Sequence, residues 1–320
     1  MNSKVVSSII TLGRCVIGAR IKLTARSKCL AVLLAVAGAQ ALFAASVSAD
    51  SLNLGVLGNY AVVDLANGKT LGQNSGPING SELLGNGVTA AFSGGGHGAI
   101  SGTVYYDPTV LGTSTFSQFQ PAPVTSALPD TTLTGQALTT AQNLSVYAAG
   151  LMPTQTFTGS LSATTTITGN GGLNVIDFAS IQNAPLTFKG STSDTFVLNV
   201  SGTLNTNVAM TLNGVSASQL LWNFTGTSGN VFQTSGGNTV DGTFLATKGG
   251  GFNFSNLDLN GELINTAGDV QIVSGSEIPT FSPFTPAPLP LPGIVPSALV
   301  LFGALAASKL STAGALIKAG

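Results

Sequence analysis

A short run of oxygen-bearing side chains in this 320-residue chain has a spacing that could support chemistry. Asp258, Asn260 and Glu262 alternate along one predicted strand, so all three face the same side of that strand. Oxygen ligands on one face suit Ca²⁺, and a suitably spaced carboxylate pair suits glycoside hydrolysis. The chain lacks the Gly-Gly-x-Gly-x-Asp repeat of calcium-binding solenoids, so the interpretation that we favour is a solvated strand face.

A polysaccharide-active enzyme would need two or more acids grouped in one cleft. The acids to be tested in this respect are Asp177, Asp194, Asp241, Asp258 and Glu262. If they are scattered over the fold, the enzyme hypothesis loses its basis.

The single histidine, His97, lies in a glycine-rich segment. One histidine without cysteine is a poor basis for a metal site or a catalytic dyad. No Lys-Ser or Lys-Thr follows the glycines, so they do not form a phosphate-binding loop. We interpret His97 as a loop residue.

Four threonines (Thr164, Thr165, Thr166 and Thr168) raise the alternative of an ice-binding surface. Such a surface needs threonine at matched positions on successive coils, and the sequence shows no sustained Thr-x-Thr ladder. Threonine is also a common strand residue. We therefore predict no catalytic, cofactor-binding or metal-ligating residue and no cofactor.

The composition excludes several classes of protein. Charged residues make up only 7% of the chain and glycine contributes 41 residues. Between Asp50 and Glu277, three lysines accompany twelve acids, a net charge of −9. Such a body repels nucleic acid at long range, so no nucleic-acid partner is expected.

The first 49 residues have the three parts of a secretory signal. A basic stretch ends at Lys28, an apolar core spans 29–39, and small residues lead to a cleavage site before Asp50. Both cysteines, Cys15 and Cys29, lie in this leader, so the mature chain is expected to contain no disulfide. We predict an exported protein, located outside the cell or in the bacterial cell envelope.

The C-terminal end changes composition after residue 277. A proline-rich linker is predicted at 278–293, followed by a hydrophobic tail at 294–320 that carries Lys309 and Lys318. The lead-in at 287–292 is similar to that of PEP-CTERM sorting tails, although Pro-Glu-Pro is absent and lysines replace the usual arginine cluster. The resemblance implies attachment to the membrane through the tail, before processing or without it.

The body, residues 50–277, is a succession of short strands and turns. Predicted strands at 196–200, 208–212 and 220–224 end in Asn-Gly, Ser-Gly or Thr-Gly, and further strand-forming runs lie at 239–246, 252–262 and 270–273. Glycines 190, 202, 214 and 226 are spaced by twelve, which supports regular strand–turn units.

One segment without proline predicts a single amphipathic helix over 134–151. Leu138, Ala141, Leu144 and Ala148 share its apolar stripe, with Thr134 as its cap. Many short strands with one helix indicate an all-β fold, and we favour a β-solenoid with the helix packed alongside over a β-sandwich.

Several segments, in order, resemble the choice-of-anchor A domains and the related ice-binding-like (DUF3494) exported bacterial proteins. The segments that carry the resemblance are 57–63, 78–80, 100–105, 164–177, 221–226, 240–246 and 260–264, together with the helix that contains Ala137 and Ala141. Thr247 stands where the family usually has proline. The resemblance implies a right-handed β-solenoid with a helix along its side and no catalytic residues.

These observations predict an exported structural or adhesive protein of the cell surface that is not an enzyme. Surface glycans, extracellular matrix and other cells are its expected partners. An ice-binding (antifreeze-type) protein is the first alternative, and a polysaccharide-active β-helix enzyme is the second.

Overall fold

The computed structural model describes residues 52–74, 76–92, 100–113, 131–227 and 229–287. These residues form one α-helix, α1 (Thr131–Ala149), and nineteen strands. The strands in chain order are β1 Val62–Asp64, β2 Thr70–Gln73, β3 Glu82–Leu84, β4 Thr89–Phe92, β5 Val104–Tyr106, β6 Gln155–Leu161, β7 Thr165–Thr168, β8 Leu173–Gln182, β9 Leu186–Lys189, β10 Thr195–Val200, β11 Leu204–Thr206, β12 Thr211–Asn213, β13 Leu220–Phe224, β14 Asn230–Thr234, β15 Asn238–Ala246, β16 Gly251–Ser255, β17 Leu257–Asn265, β18 Val270–Val273 and β19 Glu277–Phe281.

Every pairing between these strands is parallel, and the strands stack as coils around three faces. This confirms the predicted solenoid and rules out the sandwich, whose sheets are antiparallel. The helix face consists of β10, β13, β1, β3 and β5 with parts of β8, β15 and β17. The amide face consists of β11, β14, β16, β18, β2, β4 and the end of β8. The mixed face consists of β7, β9, β12, β19 and the first parts of β15 and β17.

The order of the coils departs from the order of the sequence. The N-terminal strands stack on the last coil of the body, where Val62 pairs with Leu263 and Leu71 pairs with Val270. An isolated bridge between Ile78 and Ile278 joins the same coils on the mixed face. Residues that lie about 200 positions apart therefore share one continuous sheet.

Glycines occupy the corners where neighbouring coils approach each other. A Cβ on Gly261 would lie 1.9 Å from the carbonyl oxygen of Gly242, and one on Gly214 would lie 2.2 Å from that of Gly190. Gly190 and Gly214 are 24 residues apart, so the predicted spacing of twelve corresponds to two corners of each coil. Gly242 also has a φ of 123°, which a residue with a side chain rarely adopts.

The interior is a stack of aromatic rings along the axis of the coils. Phe157 stacks on Phe178 at 5.0 Å between ring centroids, and Trp222 stacks on Phe244 at 5.7 Å. The Trp222 indole N–H donates to the carbonyl of Asp241 at 3.1 Å, so its one polar group is satisfied.

Helix α1 packs on the helix face against β10, β13 and β15, as predicted. It begins at Thr131, three residues before the predicted cap, so Thr134 lies inside the first turn. Ala141, Leu144 and Ala148 are buried, whereas Leu138 is half-buried at the edge of the stripe. The helix ends at Ala149.

The individual strand predictions are confirmed in most places. β13 and β18 have the predicted bounds, and β10 and β15 each begin one residue early. The predicted strand at 208–212 is wrong, because only Thr211–Asn213 is a strand. The predicted strand at 252–262 is two strands, β16 and β17, separated by Asn256 with a φ of 53°.

The C-terminal end of the described chain is a strap across the helix face. The strap consists of residues 282–287, which follow β19. Its backbone N–H groups donate to the body at three places: Phe284 to Thr243 Oγ1 at 2.9 Å, Thr285 to the carbonyl of Ser218 at 2.7 Å, and Ala287 to Thr195 Oγ1 at 2.7 Å. Residues 278–287, predicted as linker, are therefore part of the solenoid body.

The remaining segment predictions concern residues outside the described part of the chain. They are the signal at 1–49, the rest of the linker at 288–293 and the tail at 294–320. Within the described part, no helix has the length and apolarity that a membrane crossing requires.

Candidate binding surfaces

A row of side-chain amides runs along the outside of the amide face. Strand register places one amide on each of five successive coils: Gln182, Asn205, Gln233, Asn253 and Gln271. Neighbouring strands of a sheet lie about 4.8 Å apart, so the amides repeat at that spacing. We call these five residues the amide ladder.

The ladder faces outward because its neighbours in each strand face inward. Phe232 and Thr234 flank Gln233 and are buried, and Phe252 and Phe254 do the same beside Asn253. Alternation in a strand then exposes the residue between them. The ladder residues are each partly exposed.

The ladder continues as a low, flat surface towards the N-terminal coils. Gln271 pairs with Gly72, and Gly72 pairs with Ala91. A Cβ on Gly72 would lie 2.3 Å from Gln271 Oε1, so the glycine leaves room for the amide to lie across the next coil. All seven positions are uncharged, and the carboxylate of Asp269, which precedes β18, accepts the backbone N–H of Thr70 at 2.9 Å.

The mixed face carries a shorter ladder of threonines. Thr166 pairs with Thr187, and Thr187 pairs with Thr211. The adjacent row contains Thr168 opposite Lys189, so a charge interrupts it. Of the other predicted threonines, Thr165 lies opposite buried Leu186 and Thr164 is exposed before β7. The threonine ladder therefore extends over three coils.

The row of Asp258, Asn260 and Glu262, interpreted from the sequence as a solvated strand face, is partly exposed only at Asp258 and Asn260, so that interpretation is wrong for Glu262. Glu262 is completely buried, and one of its oxygens accepts Thr243 Oγ1 at 3.3 Å. Burial raises the pKa of Glu262 well above its ordinary value. Asn260 donates to Asp241 at 3.1 Å, and Asp258 lies opposite Glu277 on β19. A fully enclosed Glu262 has no access to a polymeric substrate.

The other two acids have separate places. Asp194 precedes β10 and accepts the backbone N–H of Gly171 at 2.7 Å and of Ser191 at 2.9 Å, with Asn174 at 3.1 Å. Burial raises its pKa, but these hydrogen bonds outweigh that effect and leave the pKa below its ordinary value. Asp177 lies on β8 and is paired with Asn199 of β10, whose side-chain amide donates to it at 3.1 Å.

The acids named for the enzyme hypothesis are thus distributed over several parts of the fold. Among the residues that the structure describes, no group of three or more His, Cys, Asp or Glu side chains is arranged to hold a metal ion. His97 lies outside the described residues. The amide ladder was not predicted from the sequence, because its members become neighbours only through strand register.

Comparison with known proteins found a matching family. Residues 30–278 match the model of a family described as "Putative Ice-binding-like adhesive domain". No curated protein matches the chain.

Similar solved structures include an ice-binding protein from an Antarctic biological consortium, with 18% identity over 71% of this chain and 89% of that chain, and a TM-score of 0.47. An ice-binding protein from an Arctic yeast is 21% identical over 74% of this chain and 96% of that chain, with a TM-score of 0.48. The DUF3494 domain of a Shewanella frigidimarina ice-binding protein is 18% identical over 74% of this chain and 98% of that chain, with a TM-score of 0.49.

Proposed function

Because the chain belongs to the family of ice-binding-like adhesive domains, we propose that it is an exported, non-catalytic protein that binds an extended, ordered surface through its amide face. Ice is the first ligand to be tested. The amide ladder is the observation that carries this proposal.

The physical argument rests on repetition without charge. Each amide donates and accepts hydrogen bonds, and five of them are held at about 4.8 Å intervals by the sheet. One such contact in water is weak, but contacts that form together on a rigid support add up. A charged side chain in the row would keep its own hydration shell and disturb the fit.

The choice of face follows from what covers the other faces. The helix face lies under α1 and the strap, and the mixed face is interrupted by Lys189. The amide face has an uncharged outer row over seven coils, which suits a flat ligand.

Adhesion to hydroxyl-rich polymers is the second candidate. Side-chain amides match the donors and acceptors of glycans as well as those of ice, so surface glycans, matrix and other cells remain the proposed partners. The proposed attachment is through the C-terminal tail of the choice-of-anchor A and PEP-CTERM type.

Ice recrystallisation and thermal hysteresis with the purified full chain test the ice proposal. Asn253→Lys places a charge within the ladder and is expected to abolish either effect. Thr211→Lys, the matched change on the mixed face, is expected to leave it intact. Absence of any effect by the wild-type chain at high concentration would exclude ice, and equal loss in both variants would exclude the amide face.

Adhesion and location are tested in cells. Deletion of the gene is expected to reduce attachment to glycan-coated surfaces, and unchanged attachment would contradict the adhesive proposal. Tagged protein with and without residues 288–320 should differ in surface retention. This truncation keeps the strap, which packs into the body up to Ala287.

A further inference from the structure

A groove separate from the amide ladder runs along the corner between the helix face and the amide face. Its volume is about 490 Å³, and successive coils contribute Ala179, Ser201, Thr225 and Lys248 to its floor and rim. The end of α1 forms one side, at Ala149. At about 4.8 Å for each strand spacing, the groove is elongated along the axis of the coils.

One carboxylate in the groove is held in place by a chain of buried amides. Asn199 donates to Asp177 Oδ1 at 3.1 Å and to the carbonyl of Ala148 at 3.0 Å. Asn223 donates to Asn199 Oδ1 at 2.8 Å and accepts Ser145 Oγ at 2.7 Å. The amide groups of Asn199 are thus already engaged, and Asp177 is positioned before any ligand arrives.

The groove offers hydrogen-bond acceptors beside the donors of Lys248 and the hydroxyls of Thr156 and Thr158. Ser201 Oγ donates to the carbonyl of Phe178 at 3.3 Å, and Thr225 Oγ1 donates to the carbonyl of Val200 at 3.4 Å. Because both hydroxyl hydrogens point to the backbone, the hydroxyl lone pairs and the Asp177 carboxylate remain as acceptors. A ligand whose groups both donate and accept, such as hydroxyls, therefore matches the lining.

The same groove has an apolar patch and balanced charge. The half-buried ring of Phe157 lines it, at the end of the aromatic stack. Lys248 opposes the charge of Asp177, which disfavours both strongly cationic and strongly anionic ligands. An uncharged, hydroxyl-bearing ligand with an apolar face fits this combination.

We propose that this groove binds a short segment of a neutral oligosaccharide, with its hydroxyls donating to Asp177, Ser201 and Thr225 and one sugar face against Phe157. This goes beyond the proposed function, because it assigns a second binding site, separate from the amide face, to a short neutral sugar segment. The groove would fix the protein to a glycan chain while the amide face stays exposed.

Titration calorimetry and saturation-transfer NMR test the groove, with the full chain and neutral tetrasaccharides of glucose and of N-acetylglucosamine as probes. We expect binding of at least one probe. Asp177→Asn keeps the acceptor for Asn199 but removes the charge, and it should weaken binding about tenfold or more. Ser201→Ala should weaken it by about threefold.

Thr211→Ala, on the mixed face, is the control and should bind the probes as the wild type does, because Thr211 is exposed and lies outside the groove. Failure of every tetrasaccharide to bind at about 10 mM would overturn the proposal, since even a weak site would be seen there. Equal affinity of Asp177→Asn and the wild type would overturn it as well. Ice assays on Asp177→Asn separate the two sites, because a loss of glycan binding with intact ice activity leaves the amide-face proposal standing.

Discussion

Raising the pH should destabilise the protein through two buried carboxyl groups in its N-terminal coils. Asp64 on β1 and Glu82 on β3 are fully buried. Burial raises the pKa of Glu82 to about 8, with a further contribution from the charge of Asp64, and the amide of Gln73 offsets part of the rise. Burial likewise raises the pKa of Asp64 to about 7.

The sign of the effect follows from proton binding. Between pH 4.5, the ordinary pKa of a glutamic acid, and pH 8, the folded chain holds a proton at Glu82 that the unfolded chain has lost. The contribution of Glu82 to the free energy of unfolding is therefore highest below pH 4.5 and falls as the pH rises to 8. At about 1.36 kcal/mol for each pH unit, Glu82 alone accounts for a loss of up to about 5 kcal/mol.

Urea unfolding of the full chain at pH 4.5, 6, 7 and 8, followed by circular dichroism and by the fluorescence of its single tryptophan, measures this loss. Glu82→Gln retains the shape of the side chain without its charge, so it should lose up to about 5 kcal/mol less stability than the wild type between pH 4.5 and 8, while Asp64 and Glu262 still contribute to its loss. Glu277→Gln, the same change at a partly exposed position, should follow the wild type. If Glu82→Gln and the wild type lose the same stability between pH 4.5 and 8, the reasoning is refuted.

Two further changes test the corners and the helix contact. Gly261→Ala should cost more than about 3 kcal/mol in urea unfolding, because its Cβ would meet the carbonyl of Gly242, whereas Gly237→Ala, which meets nothing within 4 Å, should stay within about 0.5 kcal/mol. Asn223→Ala should cost about 2–4 kcal/mol by leaving buried partners under α1 unpaired, and Asn253→Ala on the surface should change little. A small effect at Gly261 or Asn223, or an equally large one at its control, would contradict the corresponding packing argument.

The sequence was sufficient to predict elements whose stability is local. The run 220–224 has strand-forming residues and a glycine at its end, and it is a strand with those bounds. The helix stripe was likewise visible, although the helix begins three residues early. The strand at 208–212 failed because only its last two residues pair in the sheet.

The amide ladder could not have been predicted in the same way. Its members are separated by 23, 28, 20 and 18 residues, since 182, 205, 233, 253 and 271 belong to coils with corners of different lengths. No fixed period connects them. The burial of Glu262 was missed for a related reason, because the strap beside it belongs to a segment whose prolines predicted a linker.

The coil order adds a physical constraint on how such a chain can fold. β1 and β2 stack on β17 and β18, so the N-terminal coils find their platform only after residues 257–273 have been made. Contacts of such long sequence separation form slowly, because the chain entropy of closing the loop is lost before they form. An exported chain that emerges N-terminus first would therefore keep its first coils unfinished until the last coil follows. The joint between β1 and β17 then completes a single sheet on each face, and only at that stage does the amide face extend from Gln271 to Gly72 and Ala91.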